Sequence, residues 1–320
     1  KSYSKLEDYP FKISNLLYKQ LIKPSVDTFP NVSHLFIIPD KDLHRLSFQS
    51  LVFKEPINIK IDGISWLIKK MPVNILPSVS SFVDLNLKKK SQSINTFFGV
   101  GNPILEGTNR ESISRSGELG VKEIRFLNKL PETESELEKI ANLIGKTKSK
   151  LLIREEATDK NIFTANLSEF DLISFATHAV NADIGYGLSE AGLVVSGQNS
   201  KDIDDWLVSS SEIRNLNLNA QLVILSACNT GAISSSGQSA YSGLAESFFY
   251  AGANTLLVSQ WDVDSLSAVE ITTQMLSFYK ENRSLTMSEA LQKSILHLMS
   301  NNEKYRHPFF WAPFVVLGIN

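Results

Sequence analysis

The chain has 320 residues, 42% of them hydrophobic, and 32 Lys and Arg against 34 Asp and Glu give a formal net charge of -2. That is enough apolar material for one large domain or two lobes, and the charge is too balanced for nucleic-acid binding through net electrostatics. The single cysteine, Cys228, excludes an intramolecular disulfide and fits a reducing, cytoplasmic compartment. No apolar run approaches the ~18 residues of a membrane helix, and the amino end has no signal-peptide pattern.

The first residue is Lys1 and not Met, which reads as a domain excised from something longer. An amphipathic helix is expected over Phe11–Ile22, then a strand over His34–Ile38 ending at Pro39-Asp40. A segment around Ile64–Ile68 leads into the extended stretch Val73–Pro77. Lys88-Lys89-Lys90 opens a polar connection to Ser93 and reads as a solvated linker, not a phosphate site. These features divide the chain into an amino-terminal lobe, 1–92, and a second domain, 93–320.

From Thr96 strands and helices alternate, the pattern of an α/β sheet. Phe97–Val100 is a strand, and the Gly-, Ser- and charge-rich stretch Gly101–Gly120 a loop. Gly99-x-Gly101 lacks the third glycine and the helix opening of a dinucleotide fingerprint. Pro131 opens a helix with acids in its first turn, running to Ile144 and stopping at Gly145. Leu151–Arg154 is a strand, and Thr158 caps a helix beginning at Asp159. Leu172–Thr177 is a strand ending in His178, followed by a loop region to Ile213. Leu222–Ala227 is a strand ending in Cys228. A Gly- and Ser-rich loop, Gly231–Ser239, leads to a helix over Tyr241–Tyr250 that stops at Ala251-Gly252. A strand over Asn254–Trp261, helices over Ser265–Tyr279 and Ser284–Met299, and a strand over Phe314–Leu317 complete six strands in a three-layer sandwich.

The chemistry is concentrated at two of these strand ends. A parallel sheet discharges the carboxyl ends of neighbouring strands at one edge, where such folds bind ligands. A thiol and an imidazole delivered there, fifty residues apart in sequence, are the two parts of a cysteine nucleophile with its base. A lone buried cysteine is otherwise a small apolar filler. None of the other histidines has metal-ligand spacing with Cys228, so neither a metal nor another cofactor is expected. No Gly-x-Ser-x-Gly elbow supports a serine nucleophile.

The motifs in series resemble the CHAT domain, a caspase-like cysteine peptidase family related to caspases, separases and gingipains. The resemblance rests on Ile37–Asp40, Leu43-His44-Arg45-Leu46-Ser47-Phe48, Phe175-Ala176-Thr177-His178, Leu225–Gly231, Ala251–Trp261 and His307–Val315. It implies a three-layer caspase-like sandwich around a mostly parallel six-stranded sheet, with a smaller, non-catalytic amino-terminal α/β lobe. It further implies a cysteine-type endopeptidase with His178 and Cys228 as a catalytic dyad and the backbone N–H groups of Ala179 and Cys228 as the oxyanion donors.

In caspases the Trp at the end of the fifth strand is followed by an Arg that helps bind aspartate. Here Trp261 is followed by Asp262, with Asp264 two residues on, so the three are candidates to line the pocket for the P1 side chain, with preference turned toward Arg or Lys. Alternatively Asp262 caps the following helix or faces solvent, and Asp264 is the stronger capping candidate. Arg110 and Arg115 in the loop 101–120 would be self-processing sites if P1 is basic, but the loop reads first as an idle surface loop. The family's company implies a bacterial protein with a protein substrate and an amino-terminal tetratricopeptide (TPR) or other regulatory region, without nucleic-acid or membrane partners. A catalytically silent scaffold for protein binding is the competing reading.

Overall fold

The structure is a computed structural model that describes residues 9–56, 63–78, 93–106, 124–180, 182, 188–197, 206–226, 243–261 and 263–319. Short apolar runs buried on both faces belong in the middle of a covered, mostly parallel sheet. Among the described residues eight strands form one sheet, its two edge strands β1 and β4 only partly buried: β1 (Leu35–Ile37), β2 (Val73–Ile75), β3 (Phe97–Pro103), β4 (Ser149–Arg154), β5 (Leu172–Ala176), β6 (Leu222–Leu225), β7 (Thr255–Ser259) and β8 (Phe314–Gly318). Their spatial order is β1-β2-β8-β7-β6-β5-β3-β4. Every neighbouring pair is parallel except β7 with β8. The six strands β3–β8 are those expected from the sequence, and β1 and β2 extend the same sheet from the amino-terminal part of the chain.

Side-chain alternation sorts the two faces. Val223 and Leu225 of β6 belong to one core with helices α1 (Phe11–Leu21), α2 (Lys23–Thr28), α4 (Asp159–Thr164), α5 (Ser210–Arg214) and α6 (Gly243–Ala251). Leu222 and Ile224 belong to the other, with α3 (Pro131–Ile144), α7 (Ser265–Glu281) and α8 (Met287–Asn301). Caps stand where helices begin. Thr158 accepts from the Asn161 N–H, and Thr286 forms a capping box with Glu289.

The glycines of β3 set the depth of α3. A Cβ on Gly101 would lie 2.8 Å from Leu137 Cδ1, and one on Gly99 would lie 3.0 Å from Leu137 Cδ2. The Gly-x-Gly pair is therefore a seat for Leu137, which is fully buried, and draws the second turn of α3 onto the sheet.

Two of the resembling motifs hold one another. The Ser47 hydroxyl donates to the Ala312 carbonyl at 2.6 Å, and the Gln49 amide donates to the Phe314 carbonyl at 2.7 Å. Ser47 of the Leu43–Phe48 segment and the adjoining Gln49 thus form, with the His307–Val315 segment, a seam of side chain-to-backbone bonds that locks β8 to the amino-terminal part.

The structure departs from the sequence reading in detail. Among its described residues, the stretch to Ile213 expected as loop contains three short antiparallel strands, Ala179–Val180, Gly192–Val194 and Leu207–Ser209, followed by α5. Strands of two or three residues are too short to show a period. β3 runs on to Pro103, beyond the expected end at Val100, because Gly101 still pairs with both Ala176 and Ile153. Lys88-Lys89-Lys90, Arg110, Arg115 and the Gly231–Ser239 loop lie outside the described residues.

Candidate active site

β5 and β6 are hydrogen-bonded neighbours, with Leu172 opposite Leu222 and Phe175 opposite Leu225. In sequence, His178 stands three positions beyond Phe175 and Cys228 three beyond Leu225. Cys228 itself lies outside the described residues, as does Asp262.

His178 is held on both sides. The Thr177 hydroxyl donates to the Val194 carbonyl at 2.6 Å, and the Val194 N–H donates to the His178 carbonyl at 2.9 Å. The half-buried ring places Nε2 2.7 Å from the carbonyl oxygen of Asn128. A carbonyl oxygen only accepts, so in this contact Nε2 carries the proton, and the neutral ring keeps its lone pair on Nδ1. The orienting group is therefore a backbone carbonyl, which no search for an Asp or Asn side chain could have found. Ala179 pairs with Leu193 just beyond. Because the ladder bond runs from Val194 to His178, Ala179 occupies a non-hydrogen-bonded pair and its N–H points away from the hairpin.

Beside His178 lies a small cleft of about 40 Å³, lined also by Ser226, by Glu132 and Glu136 of α3, and by Ser265, Ala268 and Val269 of α7. Glu136 is only 2% exposed. Its Oε1 accepts from the Ser226 hydroxyl at 2.9 Å and from the Thr272 hydroxyl at 2.9 Å. Burial pushes its carboxyl above the ordinary Glu range, against the opposing pull of those two hydrogen bonds. The acidic first turn of α3 was legible as a dipole feature, but nothing in the sequence separated Glu136 from the less buried Glu132 and Glu134.

Of the segment after β7, Val263 and Ser265 line the cleft, whereas the candidates Trp261 and Asp264 do not. Asp264 caps α7, accepting from the Ser267 N–H at 3.0 Å, and pairs with Lys304 at 3.3 Å. Trp261 is partly buried, and its indole N–H donates to the Phe309 carbonyl at 3.4 Å. The other histidines have structural work: His34 Nε2 meets Asn74 Oδ1 at 2.5 Å, and His307 Nδ1 accepts from the Phe309 N–H. The His44 carbonyl takes the Gln260 amide, and His297 meets the Asn301 amide. Among the described residues no group of three His, Cys, Asp or Glu is placed to hold a metal ion, and no helix is long and apolar enough to cross a membrane.

A mostly parallel sheet between helical layers is the architecture of the caspase-like fold. Residues 12–319 match the family model of the CHAT domain, and the chain belongs to that family. No curated protein matches it. Among solved structures it is similar to separase in the Saccharomyces cerevisiae separase–securin complex, at 16% identity and a TM-score of 0.55 over 90% of this chain and 15% of that one. It is also similar to RgpB from Porphyromonas gingivalis, in a complex of pro- and mature domains, at 10% identity and a TM-score of 0.55 over 96% of this chain and 67% of that one. The Arg-specific cysteine proteinase gingipain R matches at 9% identity and a TM-score of 0.54, over 96% of this chain and 66% of that one. At such identities the likeness is one of fold.

Proposed function

We propose that the chain is a cysteine endopeptidase in which Cys228 attacks a peptide carbonyl and His178 handles the proton. The observation that carries this reading is the Asn128 carbonyl on Nε2, which leaves Nδ1 as the basic nitrogen at the end of β5. The equal count of residues from the paired positions Phe175 and Leu225 supports the same juxtaposition. In the reaction the Cys228 thiol passes its proton to Nδ1 as sulfur bonds to the carbonyl carbon. The C–N bond then breaks and the amine leaves with the proton held on the imidazolium. Water, giving a proton to Nδ1, attacks the thioester and releases the carboxylate and the thiol. The N–H groups of Ala179 and Cys228 hold the oxyanion, and each such donor is worth ~3 kcal/mol in the barrier. The outward N–H of Ala179 is consistent with that task.

The substrate is a protein partner cleaved after Arg or Lys, with Asp262 beside Trp261 as the acidic recognition element. Asp264, already committed as a helix cap and to Lys304, contributes a fixed negative field there. Cleavage is controlled in a bacterial cytoplasm by an amino-terminal TPR or other regulatory region. The test is a panel of P1-varied peptides with wild-type protein, Cys228→Ala and Asp262→Ala. Expected are thiol-dependent cleavage lost in Cys228→Ala, and an Arg or Lys preference that falls ~10-fold or more in Asp262→Ala. Preference for Leu or Asp would remove the acidic pocket, and no thiol-dependent cleavage of any natural partner would make the chain a scaffold.

A further inference from the structure

We infer that Glu136 is a positioning residue for the nucleophile: by holding the Ser226 hydroxyl it aims the chain as it leaves β6, and so places Cys228 two residues on. The inference rests on the proposed peptidase chemistry and adds to it a residue that the sequence presented only as part of an acidic helix turn.

A buried carboxyl needs a reason, because burying it costs free energy unless it is paired or well hydrogen-bonded. The usual reasons do not apply to Glu136. No Lys or Arg forms an ion pair with it among the described residues, and the helix dipole is served in the first turn of α3 by Glu132 and Glu134. A dipole contribution also fades within the first turn, and Glu136 lies beyond it. Nor is Glu136 needed to satisfy Thr272, whose hydroxyl also donates to the Ala268 carbonyl of its own helix at 2.9 Å.

Ser226 is different. Among the described residues the β6 ladder reaches Leu225, opposite Phe175 on one side and Val258 on the other. Among the described residues the Ser226 hydroxyl has one acceptor, Glu136 Oε1, at 2.9 Å. Among the described residues the contact nearest Cys228 is thus this side-chain bond to Glu136.

The carboxyl is itself firmly placed. Its neighbour Leu137 fills the space over Gly99 and Gly101, so α3 cannot slide without a clash. Both hydroxyls bond to Oε1, which accepts in either protonation state, while Oε2 has no partner among the described residues. Burial favours the protonated acid, so a Gln carbonyl can take over the grip on Ser226. The hydrogen-bond geometry, not the charge, is what the site requires.

The test uses the full chain with Glu136→Gln, Glu136→Ala, Ser226→Ala and Thr272→Ala. The readouts are kcat and KM on a cleaved peptide, the rate of Cys228 alkylation by iodoacetamide across pH, and Tm. A displacement of ~1 Å at a reacting group costs on the order of 10²-fold, so Ser226→Ala and Glu136→Ala should lower kcat by ~30- to 100-fold with KM within about twofold. Glu136→Gln and Thr272→Ala should stay within about threefold of wild type in kcat, although Thr272→Ala removes a hydrogen bond from the same oxygen. Wild-type kcat in Ser226→Ala, or a loss in Glu136→Gln as deep as in Glu136→Ala, overturns the inference. Should Glu136→Ala fail to fold, Ser226→Ala carries the test alone. A wild-type protein that cleaves nothing defeats the peptidase reading. The alkylation rates still report whether Ser226 and Glu136 set the thiol, so the two failures are distinct.

Discussion

Helices α3 and α7 pack side by side and run between two clefts of opposite charge. At their amino ends Glu132, Glu136 and Ser265 stand with His178. At their carboxyl ends Ile144, Leu276, Tyr279 and Lys280 stand with Lys148 and Arg283. Acids at the first and bases at the second are what two aligned helix dipoles favour, so the sign of charge alone identifies neither as a binding site. Size does not decide either, since the basic cleft is the larger, at about 200 Å³ against about 40 Å³.

Depth and delivery decide. The bases are exposed and engaged in closing the fold: Lys280 donates to the Leu143 carbonyl at the end of α3, and Arg283 to the Asn95 side chain. At the acidic end Glu136 is buried, where no dipole requires it, and the strands deliver their carboxyl termini there. These two features favour the smaller cleft for the proposed chemistry.

The largest effect that could break this contrast is on turnover. His178→Ala should lower peptide cleavage by ~10²- to 10⁴-fold, the usual contribution of a general acid–base group. Arg283→Ala, at the other end of the same helices, should leave the rate within about twofold. An equal loss from Arg283→Ala would show that the two ends act together, and a rate unchanged by His178→Ala would remove His178 from the chemistry. Both are read as initial rates on one peptide, with Tm measured alongside.

What the sequence disclosed of this contrast follows from where physics writes in side chains. β5 and β6 were legible because, Ser174 aside, they are apolar throughout and each run leads to a reactive side chain. α3 was legible from Pro131, its acids and Gly145. The support of the site was not. Asn128 acts through its carbonyl, which has no residue signature, and the strands Ala179–Val180 and Gly192–Val194 that hold His178 are shorter than any readable period. Glu136 shares its sequence neighbourhood with acids explained by the dipole; only its burial, set by Leu137 over two glycines of a strand still distant in sequence, gives it another role. The motif around Leu43–Phe48 was legible only as a resemblance; its task, a seam in which Ser47 and the adjoining Gln49 hold the approach to β8, appears only in the structure.

An intermediate effect concerns pH and stability. Burial raises the Glu136 carboxyl in the folded state, so between the ordinary Glu value and the folded value the native protein binds more protons than the unfolded chain. Stability therefore falls as pH rises through that window, whereas Glu136→Gln has no proton to lose there. Urea titrations from pH 4 to pH 8 should show the variant gaining on the wild type with rising pH. Parallel curves for the two proteins would place the carboxyl in its ordinary range and erase the difference in depth between the clefts.

The smallest effect lies at the basic end. Tyr279 is 3% exposed, and its hydroxyl has no hydrogen-bond partner among the described residues. A buried hydroxyl left unmatched costs on the order of 1 kcal/mol, which Tyr279→Phe would relieve without leaving a cavity. The variant should melt ~1–3 °C higher with its cleavage rate unchanged. A fall in Tm instead would mean that the hydroxyl bonds a group outside the described residues, and the basic end would then hold a buried polar contact of its own. Ser226 and Thr272 keep their hydroxyls matched on Glu136 at the acidic end, so the same kind of deletion there should cost stability where this one adds to it. Opposite signs for one chemical change, at the two ends of one helix pair, are what a site built at one end only requires.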